Sequence, residues 1–140
     1  MTVKKRIFGV DYGDARTGMA VSDLSGFIAT GIGVVKSTGM RKTAAAVAEA
    51  VKKHGAELIV VGYPVNMDGS EGARTEKVSV FADMLRELTG LPVELCDERL
   101  TTVEAYEIMD VTGTRGKKRR DRVDTLAAEI ILQDYLDSHR

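Results

Sequence analysis

The chain has 140 residues, 44% of them hydrophobic and 29% charged, with a formal net charge of -1. That is the length of one domain, able to bury about two-thirds of its unfolded surface without a disulfide or metal staple. The charge balance excludes a global attraction to polyanions, so any nucleic-acid contact must come from local charge. No apolar run approaches the roughly 18 residues of a membrane span, and no membrane partner is expected.

Nothing at the amino terminus marks the chain for export. The single cysteine, Cys96, cannot close an internal disulfide and suits a reducing cytoplasm, where it is expected to act as a small buried hydrophobe.

In chain order, Arg6-Ile-Phe-Gly-Val-Asp11 predicts an apolar strand that delivers Asp11 into the turn Tyr12-Gly-Asp-Ala-Arg-Thr-Gly18. A carboxylate at the edge of a buried region is costly to ionise unless a cation or hydrogen-bond donors compensate it. Asp and Gly are also ordinary turn residues, so this segment alone leaves both readings of Asp11 open. Gly18 to Ser22 predicts a second strand and Ile28 to Lys36 a third. Short, glycine-bearing connections favour hairpins and hence an antiparallel meander.

Met40 to His54 carries Ala44, Val47, Ala48 and Val51 on one face, predicting an amphipathic helix closed by Gly55 and capped by Ser37 or Thr38. Glu57 to Gly62 has the apolar middle of a strand covered on both sides. Strand, helix and strand make a right-handed βαβ crossover. A polar loop from Tyr63 to Gly72 leads into a helix over about Thr75 to Thr89, with Val78, Phe81, Ala82, Leu85 and Leu88 on its core face.

Val93 to Cys96 predicts a last strand, and Thr101 with Glu104 a capping box for a helix reaching about Met109. Thr112 to Arg120 reads as loop, before a final helix from near Asp121 to about Asp137. The order βββαβαβαα predicts one α/β domain over 1–140. Its mixed five-stranded sheet has three antiparallel strands, then two parallel ones, with helices on both faces and Asp11 ending a central strand.

Three acids stand out: Asp11, Glu98 just past the last strand, and Asp124 in the final helix. In an open α/β sheet the crevice beyond the carboxyl ends of the strands is the usual ligand site. The neighbours of Asp124 at helical spacing are Ala127, Ala128, Ile131 and Tyr135, an apolar face whose alanines let the helix approach the sheet closely. A helix-dipole aspartate is the competing reading, but it leaves the apolar face unexplained. Clustered carboxylates repel unless a cation neutralises them, and oxygen ligands suit Mg²⁺ or Mn²⁺. Two such ions about 4 Å apart would serve phosphodiester hydrolysis.

The run Arg115-Gly-Lys-Lys-Arg-Arg120 holds five cations, Arg115, Lys117, Lys118, Arg119 and Arg120, in six residues. Ahead of a helix this charge opposes the dipole, so phosphate contact explains it better than helix stability. Arg16 and Arg99 are further candidate phosphate contacts, and the loop from Gly62 to Gly72 precedes a helix amino terminus able to receive a phosphate. With no Trp and 5% aromatics, backbone and shape recognition is expected over base reading.

Four motifs occur in order: Asp11-Tyr-Gly-Asp-Ala-Arg-Thr-Gly18 with Val21-Ser-Asp23, Gly62-Tyr-Pro-Val-Asn-Met-Asp-Gly-Ser-Glu-Gly72, Asp97-Glu-Arg-Leu-Thr-Thr102 and Val123-Asp-Thr-Leu-Ala-Ala128. With them the chain resembles the YqgF (RuvX) family, described as Holliday junction resolvases and as nucleases maturing precursor 16S ribosomal RNA. The resemblance covers nearly the whole chain. It implies a ribonuclease H-like fold and carries the catalytic, metal-holding carboxylates onto Asp11, Glu98 and Asp124. Related resolvases pair two aspartates one helical turn apart, which makes Asp121 a fourth candidate ligand, and Asp97 is an alternative to Glu98. Tyr63 stands where the family more often has Leu, and Glu129 interrupts the apolar run after the alanine pair.

The expected function is therefore a Mg²⁺- or Mn²⁺-dependent endonuclease on structured nucleic acid. Precursor 16S ribosomal RNA is preferred as substrate on family grounds. Resolution of branched DNA would share the chemistry but need paired sites, so a homodimer in place of a monomer. Two readings of other classes compete. A phosphotransferase of the actin and sugar-kinase type would need a second lobe that 140 residues do not supply. A non-catalytic RNA-binding or ribosome-assembly module would have no use for the three acids.

Overall fold

Runs of Val, Ile and Phe form five strands, β1 (Arg6–Asp11), β2 (Arg16–Ser22), β3 (Ala29–Lys36), β4 (Ala56–Tyr63) and β5 (Val93–Asp97), in one sheet of order β3-β2-β1-β4-β5. The computed structural model of the chain describes residues 5–64, 72–97 and 116–139, the side chains of 116–122 and 124 excepted. β1 pairs antiparallel with β2, which pairs antiparallel with β3; β4 lies parallel to β1, and β5 parallel to β4. The expected mixed sheet is thus present, with β1 at its centre.

Among the described residues three helices cover it: α1 (Met40–His54), α2 (Ala73–Thr89) and α3 (Gly116–Ser138). Alternation along β1 divides the core in two. Phe8, Val10 and Tyr12 pack with Val47 and Val51 of α1 and with Val78, Phe81 and Leu85 of α2. On the other face Ile7, Ala20, Leu58 and Val60 pack with Ala128, Ile131, Leu132 and Tyr135 of α3.

Several local expectations are corrected. No side chain caps α1, whose N-cap is Gly39 at φ 127. Ser37 instead donates its hydroxyl to the carbonyl of Gly13 at 2.8 Å. Leu88 is 49% exposed, at the margin of the apolar stripe in the last turn before Gly90. α3 begins at Gly116, so residues 116–120 of the basic run are helical where a loop was expected. Lys and Arg are strong helix formers, and their propensity over a whole turn offsets part of a dipole penalty of about 0.3 to 1 kcal/mol each. The helix expected over Thr101 to Met109 lies outside the described residues, as does the loop expected from Thr112 up to Arg115.

Candidate active site

Because β1, β4 and β5 are parallel, Asp11, Tyr63 and Asp97 finish at one edge of the sheet, with Val10 beside Val61 and Tyr63 beside Asp97. Ile7 belongs to the core under α3, and Gly9 lies against Leu132 of that helix. Alternation therefore turns the partly buried Asp11 toward the α3 side and Tyr12 to the other, where its ring stacks on Phe81 with centroids 4.3 Å apart. On β5, Val93 belongs to the α1 and α2 core and Cys96 packs against the α3 core. Asp97 therefore sits on the face opposite Asp11.

α3 rides directly on the sheet backbone. A Cβ added at Gly9 would stand 2.7 Å from Leu132 Cβ and 3.2 Å from the carbonyl of Ala128, and one at Gly31 would stand 2.5 Å from Thr125 Cγ2. Ala127 and Ala128 are buried, as their spacing predicted. Near the start of β3, Gln133 accepts from the N–H of Ala29 at 2.9 Å and donates to the carbonyl of Phe27 at 2.8 Å. Thr125 covers Gly31 farther along the strand. β3 and β1 share a direction through β2, so α3 runs antiparallel to β1. The turn of α3 that contains Asp124 accordingly leads toward the edge where Asp11 lies. The side chains of Asp124 and Asp121, and those of Lys117, Lys118, Arg119 and Arg120 in the first turns of α3, lie outside the described residues, as do Glu98, Arg99 and Arg115.

The turn after Asp11 is held by a hydroxyl pair that sequence reasoning missed. Thr17, fully buried, accepts from the N–H of Gly13 at 3.5 Å and stands 3.2 Å from the hydroxyl of Ser37. The backbone N–H of Ser37 donates to Ala15 at 2.9 Å. A Cβ at Gly13 would stand 2.4 Å from the carbonyl of Arg16, so the turn admits only glycine there. The signal was present: Thr17 is a polar residue opening an apolar strand. Across the turn, Lys77 reaches Asp14 at 3.4 Å, an exposed pair worth little by itself. Burial, then the charge of Asp14, raises the Tyr12 phenol above its ordinary value.

Other groups are shifted as well. Hydrogen bonds from the Ser25 hydroxyl and the backbone of Ile28 and Phe27 hold the Asp23 carboxyl down at about 2. Burial pushes the Cys96 thiol up to about 11, which keeps it protonated and unreactive, in line with a small hydrophobe.

As a metal site the described part is one oxygen donor, Asp11, of the hard kind that Mg²⁺ and Mn²⁺ accept. Among the described residues no group of three acids, histidines or cysteines could hold a metal ion. Nor is any helix among them long and apolar enough to cross a membrane.

Comparison with known proteins extends these observations. A family model described as "RuvX: Holliday junction resolvase" matches residues 5–138. A protein of Ruminiclostridium cellulolyticum named "Putative pre-16S rRNA nuclease" is 41% identical over 133 residues, 94% of each chain. A protein of the same name from Caldanaerobacter subterraneus subsp. tengcongensis is 45% identical over 137 residues, 96% of this chain and 98% of the relative. Among solved structures, T. thermophilus RuvC in complex with a Holliday junction substrate matches with a TM-score of 0.58 at 16% identity, covering 96% of this chain and 95% of that one. At that identity the likeness is one of fold, and it agrees with the ribonuclease H-like sheet.

Proposed function

The chain belongs to the RuvX family of nucleases, and from that premise we propose that it is a Mg²⁺- or Mn²⁺-dependent endonuclease maturing precursor 16S ribosomal RNA in the cytoplasm. In this reading Asp11, Glu98 and Asp124 hold the metal. One observation carries it: the central strand delivers Asp11 to the sheet edge on the side of α3, and α3 runs antiparallel to that strand, so its Asp124 turn leads to the same edge. Strand alternation supports Glu98 over Asp97, since Asp97 faces away from Asp11 and the next residue would return to its side. Asp121, one turn before Asp124, is a reserve ligand.

A bound divalent cation supplies Lewis-acid charge to the phosphodiester oxygens and lowers the pKa of a coordinated water. The chain's own residues orient and grip. Thr17, Ser37 and the Tyr12–Phe81 stack fix the backbone that presents Asp11. The cations of the first turns of α3, with Arg16, Arg99 and Arg115, take phosphates without reading bases.

The ribosomal substrate is supported by the names of relatives at 41% and 45% identity. A second reading, resolution of branched DNA by a homodimer, is favoured by the family description and by the fold shared with RuvC. The deciding experiment incubates the purified protein with precursor RNA and four-way junction DNA, each with Mn²⁺, beside Asp11→Asn. The expected result is cleavage of the RNA by wild type only. Equal activity of Asp11→Asn would leave a non-catalytic RNA-binding module, and cleavage of junction DNA alone would move the substrate to branched DNA.

A further inference from the structure

Three exposed cations lie at the same end of the sheet, beside its outer strand β3: Lys36 at the end of β3, and Arg41 and Lys42 in the first turn of α1. Among the described residues none of the three makes an ion pair, whereas Lys77 pairs with Asp14 and Arg86 with Asp83. The first turn of α1 has no acid, so Arg41 and Lys42 oppose the helix dipole unrelieved, whereas Lys52, Lys53 and His54 in its last turn complement it. Folding therefore gains nothing from cations at the start of α1.

The register ties these cations to the site. Asp11 lies opposite Gly18 on β2, Gly18 opposite Val34 on β3, and Arg16 opposite Lys36. Val35 packs against the α1 and α2 core, so Lys36 and Arg16 lie on the side that Asp11 takes. Two strand spacings, about 10 Å, separate β1 from β3. The segment is fixed to the Asp11 turn itself, because Ser37 bonds Ala15 through its N–H at 2.9 Å and Gly13 through its hydroxyl at 2.8 Å.

We infer that Lys36, Arg41 and Lys42 form a phosphate track that carries the nucleic-acid strand out of the cleavage site past the β3 edge of the sheet. The track begins about 10 Å from the Asp11 strand, within a few nucleotides of the scissile phosphate. The inference rests on the nuclease reading. The partner it fits is the sugar-phosphate backbone in any sequence, because flexible point charges on a surface make no base-edge pattern.

The test measures binding of a labelled precursor RNA in EDTA, from 50 to 200 mM salt, for wild type, for Lys36→Gln/Arg41→Gln/Lys42→Gln, and for a control, Lys52→Gln/Lys53→Gln, at the far end of α1. The triple variant is expected to lower the salt slope by about 2 to 3, at 0.7 to 0.9 per contacted phosphate. Its melting temperature should be unchanged or higher, and the control should leave the slope in place. Shortening the RNA by four nucleotides on the flank that the track covers should weaken wild type and leave the triple variant unaffected. An unchanged slope in the triple variant, or the same loss per charge in the control, overturns the track while wild-type cleavage still stands. Failure of wild type to bind or cut any nucleic acid overturns the nuclease reading and the track together.

Discussion

The face covered by α1 and α2 is filled by large side chains, Phe8, Val10, Tyr12, Phe81 and Leu85 among them, whereas on the other face large residues such as Ile131, Leu132 and Tyr135 are joined by Gly9, Gly31, Ala20, Ala127 and Ala128, which let α3 approach the sheet closely. Large interlocking side chains bury much apolar area and hold two helices at ordinary packing distance. Small residues bury less, but they let a helix backbone settle on strand backbone, where a shift of one methyl group is felt. The first face holds the larger cluster of buried side chains. The second sets how near a turn of α3 comes to the end of β1, and Asp11 is turned toward that second face.

If the faces divide their labour in this way, their variants should fail differently. Asp11→Asn should have the largest effect, a loss of cleavage of at least about 10³-fold, or about 4 kcal/mol in the barrier. The metal-free protein should melt at the same or a higher temperature, because the change relieves charge repulsion. A clear fall in metal-free melting temperature would show that Asp11 belongs to the stability of the fold. Leu85→Ala on the other face should cost about 2 to 5 kcal/mol in urea denaturation while the surviving folded fraction still cuts RNA. Gly9→Ala should cost about 1 to 3 kcal/mol, since its Cβ would meet Leu132 Cβ at 2.7 Å and neither backbone yields easily. Its cleavage rate per folded molecule should fall as well, as α3 is pushed off the sheet. A folded Gly9→Ala that cuts at the wild-type rate would break the comparison.

The sequence carried the first face almost completely. Period-2 and period-3.6 patterns located β1 through α2, and Leu88 was misassigned only because it lies at the margin of its stripe. The second face was half legible. The small residues around Ala127 and Ala128 announced a close approach, but nothing local says that α3 runs antiparallel to β1, a relation made by Gln133 and Thr125 with partners on the distant strand β3. The first turns of α3 were hidden because four successive cations carry no apolar period, although they propagate a helix well. Ser37 was taken for a cap because its partner, Gly13, lies 24 residues away. Asp11 itself was legible because its argument is local: an apolar strand, an acid and a glycine turn.

The smallest expected effect tests whether α3 can be held in place from its outer end. Asp23 closes the β2–β3 hairpin by accepting from Ser25 at 2.6 Å and from the N–H groups of Phe27 and Ile28 at 2.9 and 3.2 Å, and Gln133 of α3 grips the same hairpin at the carbonyl of Phe27. These bonds favour the ionised carboxyl, lowering its pKa from 3.8 to about 2 in the folded chain. A depressed carboxyl stabilises the fold above its unfolded pKa, and that contribution drains away as pH falls from about 3.8 through about 2. Asp23→Asn should therefore melt slightly below wild type at pH 7, with the gap closing below pH 2. The group is fully exposed, so the gap at pH 7 should be small, and because the hairpin lies at the opposite end of β1 from Asp11 the cleavage rate should not change. A drop in rate larger than the drop in stability would mean that the hairpin, through Gln133, sets the position of α3 along the sheet.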